Sequence, residues 1–259
     1  MRFDVQAYRD RITTESVGAN IVVRDVTSST MDDARAGSAA GGVSGTAYVA
    51  DQQTAGRGRF GRPWASSCDG LYVTYHLRVP ESPAVPLYGV AAALAVSDAI
   101  REVARLTTDL KWPNDVLAQG RKIAGILAEA VHRGEVDIFI GIGVNVGVGA
   151  VPTELSAIAT SIEGEVPAAT PSREDLLVAL SAALERHSGQ LVRSPAILVE
   201  EWRQRLVTLR HRVRLTSSSA QAGDVHEGEA VDVSPRGELV VRLDSGVLAS
   251  FAAGDVTMA

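Results

Sequence analysis

The chain has 259 residues, 46% hydrophobic and 22% charged, which is ordinary globular composition for one large domain or a large and a small one. Its net charge of −6 excludes a general polyanion binder, which needs a basic face. The longest uncharged stretches, residues 82–97 and 138–153, are interrupted by Pro or Gly and fall short of the roughly 20 apolar residues of a membrane span.

In chain order, residues 21–26 form a β-branched run that predicts a strand. Ser29 and Thr30 ahead of Asp32 and Asp33 mark a helix start. Residues 37–45 are small and predict a flexible link, 46–50 a strand, and 54–64 a Gly/Arg loop. Residues 71–79 predict another strand and 80–86 a turn. The run 89–106 is apolar in its first half and charged in its second, the pattern of a mostly buried helix. Two short strands, 109–112 and 116–118, flank a corner at Pro113, Asn114 and Asp115. The apolar runs 123–131 and 137–148 predict strands buried on both faces of a sheet. Ser172 opens a helix with Asp175 three residues on, and Gly189 is expected to stop it. Ser194 and Pro195 start another. After about residue 206 the pattern alternates: 211–216, 229–234, 238–243 and 247–251 predict four short strands of a small β-barrel or meander.

Three segments carry chemistry. Residues 51–64 (DQQTAGRGRFGRPW) place Arg57, Arg59 and Arg62 among Gly56, Gly58 and Gly61. Glycines admit a ligand close to the backbone and guanidinium forks match phosphate oxygens, so the loop reads as an anion cradle with Trp64 available for stacking. A solvated loop or an RGG-like nucleic-acid segment fits the same composition. Its glycines and like charges oppose ordering without an anion. Next, 23 of the 25 basic residues are arginine, and the two lysines, Lys111 and Lys122, lie eleven residues apart in one strand–turn–strand unit. Lysine is a compact point charge that arginine does not replace at every anion site. Lys122 leads into an apolar strand where an idle charge would be costly; Lys111 suits a structural role equally. Third, 138–147 (IFIGIGVNVG) imitates a dinucleotide-binding glycine run. The valines that follow favour strand over helix, so a central strand whose glycines make room for a ligand fits better, with Asn145 as a polar contact.

Other features point away from specific chemistries. The single cysteine, Cys68, has no internal partner, which fits a reducing compartment, and no basic cluster tunes it as a nucleophile, so a buried or incidental thiol is expected. The five histidines lack metal-ligand spacing, and no metal site is expected within the protein itself. The arginines at 203, 205, 210, 212 and 214 read as a solvated or interdomain surface. Residues 215–259 carry seven acids and two arginines, a poor nucleic-acid surface.

Taken together, Ser29-Thr30, residues 53–64, 111–115 (KWPND), 122–129 (KIAGILAE) and 141–146 (GIGVNV), in this order and spacing, resemble the biotin–protein ligases. The resemblance covers residues 20–150, and the C-terminal β module also fits. It implies an α+β fold: a mixed-sheet catalytic domain of the biotin/lipoate ligase type over 1–207 and an SH3-like β-barrel over 208–259. It implies ATP and biotin as substrates, with Mg²⁺ accompanying ATP, and a biotinyl-5′-adenylate whose acyl group passes to a lysine of the biotin carboxyl carrier domain of an acyl-CoA carboxylase.

The resemblance also implies residue roles. Arg59, Lys122 and Asp115 are the catalytic candidates, Asp115 as a base for the incoming lysine or an Mg²⁺ contact. Ser29, Thr30, Met31, Gln53, Arg57, Gly58, Arg59, Lys122 and Gly125 match biotin-binding positions, with the Ser29 and Thr30 hydroxyls and Gln53 on the ureido head. Arg57, Arg59, Arg62, Trp64, Lys111, Asn114 and Asn145 match the ATP side. Met31 departs from the Asn found there in many bacterial relatives, which removes one amide from the head group's surroundings. With 28 residues before Ser29, a winged-helix domain is not expected, nor specific DNA binding or membrane attachment. A cytoplasmic monomer or homodimer is the expected form. Lipoate–protein ligase, which shares the fold, is the nearest alternative, and a non-enzymatic nucleic-acid binder using the Gly/Arg loop is the alternative of another class.

Overall fold

Strand alternation decides the layering. In the computed structural model, which describes residues 2–217 and 224–258, β7 (Glu135–Asn145) sends Val136, Ile138, Ile140, Ile142 and Val144 into the main core. Its other residues, Glu135, Asp137, Phe139, Gly141, Gly143 and Asn145, face the opposite side, as the two-residue period of a strand requires. Antiparallel neighbours flank β7: β3 (Gly70–Val79) on one side and β6 (Arg121–Arg133) on the other. The mixed sheet is completed by β1 (Ile21–Thr27) and β2 (Ala47–Gln53), which pair in parallel, and by β4 (Asp109–Lys111) and β5 (Asp115–Ala118). Strand order is β1-β2-β3-β7-β6-β5-β4.

Helices cover the core face. Between β3 and β4, α3 (Tyr88–Ala104) is buried almost all round, because Ala91, Ala92, Ala93, Leu94, Ala95 and Val96 meet sheet on one side and α5 (Arg173–Arg193) on the other. Also joined to this layer are α1 (Val5–Arg9) and α6 (Pro195–Arg205), while α4 (Ile162–Glu165) is a single turn capped by Ser161. Among the described residues, α2 (Thr30–Ala39) is the helix on the opposite face, where Met31 and Ala34 pack on Tyr48 and Phe139. Ser29 caps α2 by accepting from Met31 N–H, a contact worth about 1 kcal/mol. The two faces therefore differ: one is filled by helices, the other is left largely open beside α2.

Several expectations change. Helix α2 runs through residues 37–39, which read as a flexible link. Gly189 does not stop α5; the helix continues to Arg193 because burial of Leu191 outweighs the ~1 kcal/mol cost of an interior glycine. Burial on both faces holds for β7, but the second half of β6 alternates, with Ala128, Ala130 and His132 exposed. Cys68 is exposed.

The C-terminal module is a five-stranded antiparallel sheet, order β11-β10-β9-β8-β12, of β8 (Arg212–Ser217), β9 (Val225–Val233), β10 (Leu239–Leu243), β11 (Leu248–Phe251) and β12 (Gly254–Met258). Alternation predicted the first four; β12 is one more than expected. Val207 N–H still donates to Leu110 of β4, whereas Arg210 N–H donates to Ala230 of β9, so the chain changes partners between them. Trp112 Nε1 donates to Gly237 O, and Arg203 Nε sits 2.7 Å from Asp232, fastening the module to the β4–β5 corner and to α6. Part of the basic run thus faces the joint between the two sheets. Among the described residues no helix is long and apolar enough to cross a membrane.

Candidate functional site

The open face owes its floor to three glycines. Register places Thr74, Gly141 and Leu127 in one rung across β3, β7 and β6, and Tyr72, Gly143 and Gly125 in the next. Where neighbouring strands carry side chains, Gly141, Gly143 and Gly125 leave a trough. A Cβ on Gly143 would lie 2.5 Å from the Trp64 indole, and one on Gly141 would lie 3.0 Å from Met31 Cε. Trp64 thus roofs one rung and Met31 the other. The trough opens into a cavity of about 540 Å³ that every candidate residue from the sequence lines, from Ser29 to Asn145. Segments that lie far apart in the chain converge there.

At one end stands a hydroxyl and amide cluster. Thr30 donates through N–H and Oγ1 to Gln53 Oε1 at 2.9 and 3.2 Å, and Gln53 Nε2 donates to Ser66 Oγ at 2.9 Å. Thr30 Oγ1 also shares a 2.8 Å hydrogen bond with Thr74 Oγ1. Thr74 escaped sequence reading because a lone threonine in an apolar strand has no signal of its own; the rung beside Gly141 is what places it in the site. Met31 is buried, and its N–H is already held by Ser29 Oγ at 3.3 Å.

The Gly/Arg loop lies across the other end. Gly58 N–H donates to Arg62 O at 2.8 Å and Trp64 N–H to Gly56 O at 2.9 Å, so the loop closes on itself. Asp32 pairs with Arg57 and Asp255 with Arg62, each in a two-pronged contact, which relieves the repulsion of clustered guanidiniums. The Asp32 hydrogen bond raises the Arg57 pKa. Arg59 is different. It donates to Gly254 O at 3.2 Å, and burial pushes its pKa below the usual value against the pull of Asp255 and Asp115. A desolvated guanidinium beside a cavity is primed for an anion. Asp255 and Gly254 belong to β12, so the C-terminal module reaches the site, a contribution with no signal in the motifs.

Lys122 Nζ lies 2.5 Å from Asp115 Oδ1 and 5.3 Å from the centre of the Trp64 ring. Its backbone donates to Ile158 O and accepts from Thr160 N–H, so this residue also pins the 155–160 segment, of which Leu155, Ile158 and Ala159 line the cavity. That irregular segment carries no periodicity and escaped the sequence reading. Asn145 and Asn114 line the cavity, but their amides are engaged: Asn145 Nδ2 donates to Thr160 O and Asn114 Nδ2 to Ile126 O. Their side chains shape the walls. Among the described residues, Lys111 faces the cavity with no ion pair, and Trp64 Nε1 is buried with no partner. An orphaned indole donor above a glycine floor suits a ring-bearing ligand with acceptors.

The one grouping of metal-type ligands among the described residues, Asp98, His187 and Glu201, lies between α3, α5 and α6 and away from this cavity. Arg101, Arg186 and Arg205 all bond Asp98 there and supply the positive charge.

The chain matches the biotin/lipoate A/B protein ligase family over residues 24–145 and the biotin protein ligase C-terminal domain over 212–258. It is 34% identical to the biotin–[acetyl-CoA-carboxylase] ligase of Mycobacterium tuberculosis, covering 98% of this chain and 94% of the relative. The biotin protein ligase of Aquifex aeolicus, solved with biotin and ATP, superposes with a TM-score of 0.78 at 25% identity, covering 93% of this chain and 98% of that one. The Leishmania major enzyme with biotinyl-5-AMP gives 0.65 at 29% identity, covering 90% and 99%.

Proposed function

The chain belongs to the biotin protein ligase family, and from that premise we propose how its cavity joins biotin to a carrier lysine at the expense of ATP. One observation carries the reading: a single cavity collects the hydroxyl and amide cluster, the arginine loop and both lysines of the protein. We place the boundary between the catalytic domain and the C-terminal module at 207/208, where backbone partners pass from β4 to β9.

In the first step the biotin carboxylate attacks the α-phosphorus of ATP, the bond to the bridging oxygen breaks, and pyrophosphate leaves. Two anions must approach, so positive charge held in a site shielded from water lowers the barrier. Lys122 is assigned to the carboxylate and α-phosphate, and exchanges Asp115 for them on binding. Arg59, already desolvated, adds charge without a fresh dehydration cost. Arg57 and Arg62 are held by Asp32 and Asp255 at the cavity rim, positioned to take phosphate oxygens instead. Ser29, Thr30, Gln53 and Thr74 supply donors and acceptors for the ureido head, and Trp64 and Asn145 bound the adenine side.

Mg²⁺ would enter with ATP and neutralise phosphate charge. Asp115 and Asp255 are the cavity's carboxylates, and each is paired with a cation, a donor set that fits an ion carried by phosphates rather than caged by protein. In the second step a lysine amine of the carrier domain attacks the acyl carbon of the mixed anhydride, AMP leaves, and the amine proton passes to a base. Asp115, freed as Lys122 turns to the ligand, stands nearest to that role. We take the acceptor to be the biotin carrier domain of an acyl-CoA carboxylase. Biotin-dependent exchange of pyrophosphate into ATP tests the first step: exchange with biotin and none with lipoate supports the reading, and the reverse overturns it.

A further inference from the structure

We propose that Met31 sets which ring the pocket accepts, its thioether forming the apolar end wall against which the sulfur-bearing ring of the acid packs. This rests on the biotin reading above and adds a specificity determinant to it.

The resemblance puts Met31 among the biotin-binding positions but assigns its side chain no contact, and its backbone N–H is already taken by Ser29. What remains is shape. Its side chain is 4% exposed, lines the cavity, and lies across the Gly141 rung so closely that a Cβ there would meet its methyl group at 3.0 Å. Behind it Tyr48 and Phe139 form an apolar layer with Ala34. Beside it, Thr30, Gln53 and Thr74 form a connected polar cluster. The pocket end is therefore divided: polar on the side of Thr30, apolar on the side of Met31.

The bicyclic head of biotin is divided in the same way. Its ureido ring has a carbonyl acceptor and two N–H donors, which require the Thr30 side. Its thiolane ring has C–H groups and a sulfur, which require an apolar, polarisable surface, and methionine is the most polarisable aliphatic wall available. Shortening Met31 would extend the cavity over Phe139 and leave the ureido contacts in place. A change of this size in a hydrophobic pocket shifts discrimination by about tenfold or more.

The test compares acids within each enzyme preparation, so that any inactive fraction cancels. Pyrophosphate exchange is measured with biotin, with biotin sulfone, which carries two oxygens on the ring sulfur, and with N-methylated biotin, enlarged on the ureido ring. In Met31→Ala the kcat/KM ratio of sulfone to biotin is expected to rise at least about tenfold over wild type, with the N-methyl ratio unchanged. In Met31→Leu, which keeps the bulk, the sulfone-to-biotin ratio is expected to stay within about twofold of wild type, whatever the change in kcat/KM for biotin itself. A sulfone ratio within twofold of wild type in Met31→Ala overturns the assignment, as does an equal rise for both analogues, the mark of a general loosening. If wild type uses biotin and the ratio does not move, this inference alone fails; if wild type does not use biotin, the functional reading fails with it.

Discussion

Arg101, Arg186 and Arg205 converge on Asp98, whereas Arg57, Arg59 and Arg62 surround a cavity. Both groups are arginine triplets with carboxylate partners, yet they do different things. Asp98 is buried and ties α3, α5 and α6 together, with His187 as a fourth partner. Burial would raise its pKa, but hydrogen bonds from His187 and Arg205 outweigh this and hold it well below the ordinary carboxylate range. The cavity arginines hold two half-exposed acids at the rim, while Arg59, among the described residues, has no carboxylate of its own. A satisfied buried anion fixes a fold; exposed, exchangeable anions keep a site ready for another.

The largest effects should fall on the cavity. Lys122→Ala and Arg59→Ala are each expected to lower biotin-dependent pyrophosphate exchange by about 10²–10³-fold, with thermal midpoints near wild type. Exchange at wild-type rates would remove these residues from the chemistry and dissolve the contrast.

Asp98→Ala should do the opposite. It leaves three arginines without their shared anion and is expected to cost about 2–4 kcal/mol in denaturant unfolding, less than a wholly buried pair because Arg101 and Arg186 are half-exposed. Exchange per folded molecule should be unchanged. Because the folded-state pKa of Asp98 is depressed, its stabilisation is present above its ordinary value of 3.8 and is lost as pH falls below it. The acid-induced loss of stability should therefore be shallower in Asp98→Asn than in wild type; identical acid profiles would show that the cluster carries no such linkage.

Smallest are the rim acids. Asp32→Asn and Asp255→Asn remove exposed pairs and should each change unfolding free energy by less than about 1 kcal/mol. A loss as large as that of Asp98→Ala would mean that the loop is clamped rather than exchangeable.

The regular parts of this architecture were legible because their signals are local. The continuous apolar run at 137–148 and the Ser29 and Ser172 caps need no tertiary context. The site motifs were legible too, since lysine is rare in this arginine-biased chain and the five segments are specific through their shared order and spacing. What escaped depends on contacts made late in the chain's path. Thr74 matters because of its rung partner Gly141, Asp255 because β12 folds back to the loop, and Ile158 because Lys122 holds its backbone. Gly189 misled for the same reason: a local stop signal lost to the burial of Leu191.

The most direct measurement incubates the protein with labelled biotin, ATP and a biotin carrier domain, beside a carrier whose acceptor lysine is replaced. Label should become covalently bound to the intact carrier alone, with one AMP and one pyrophosphate released per biotin attached. ATP-independent labelling, or none on the intact carrier, would contradict the account.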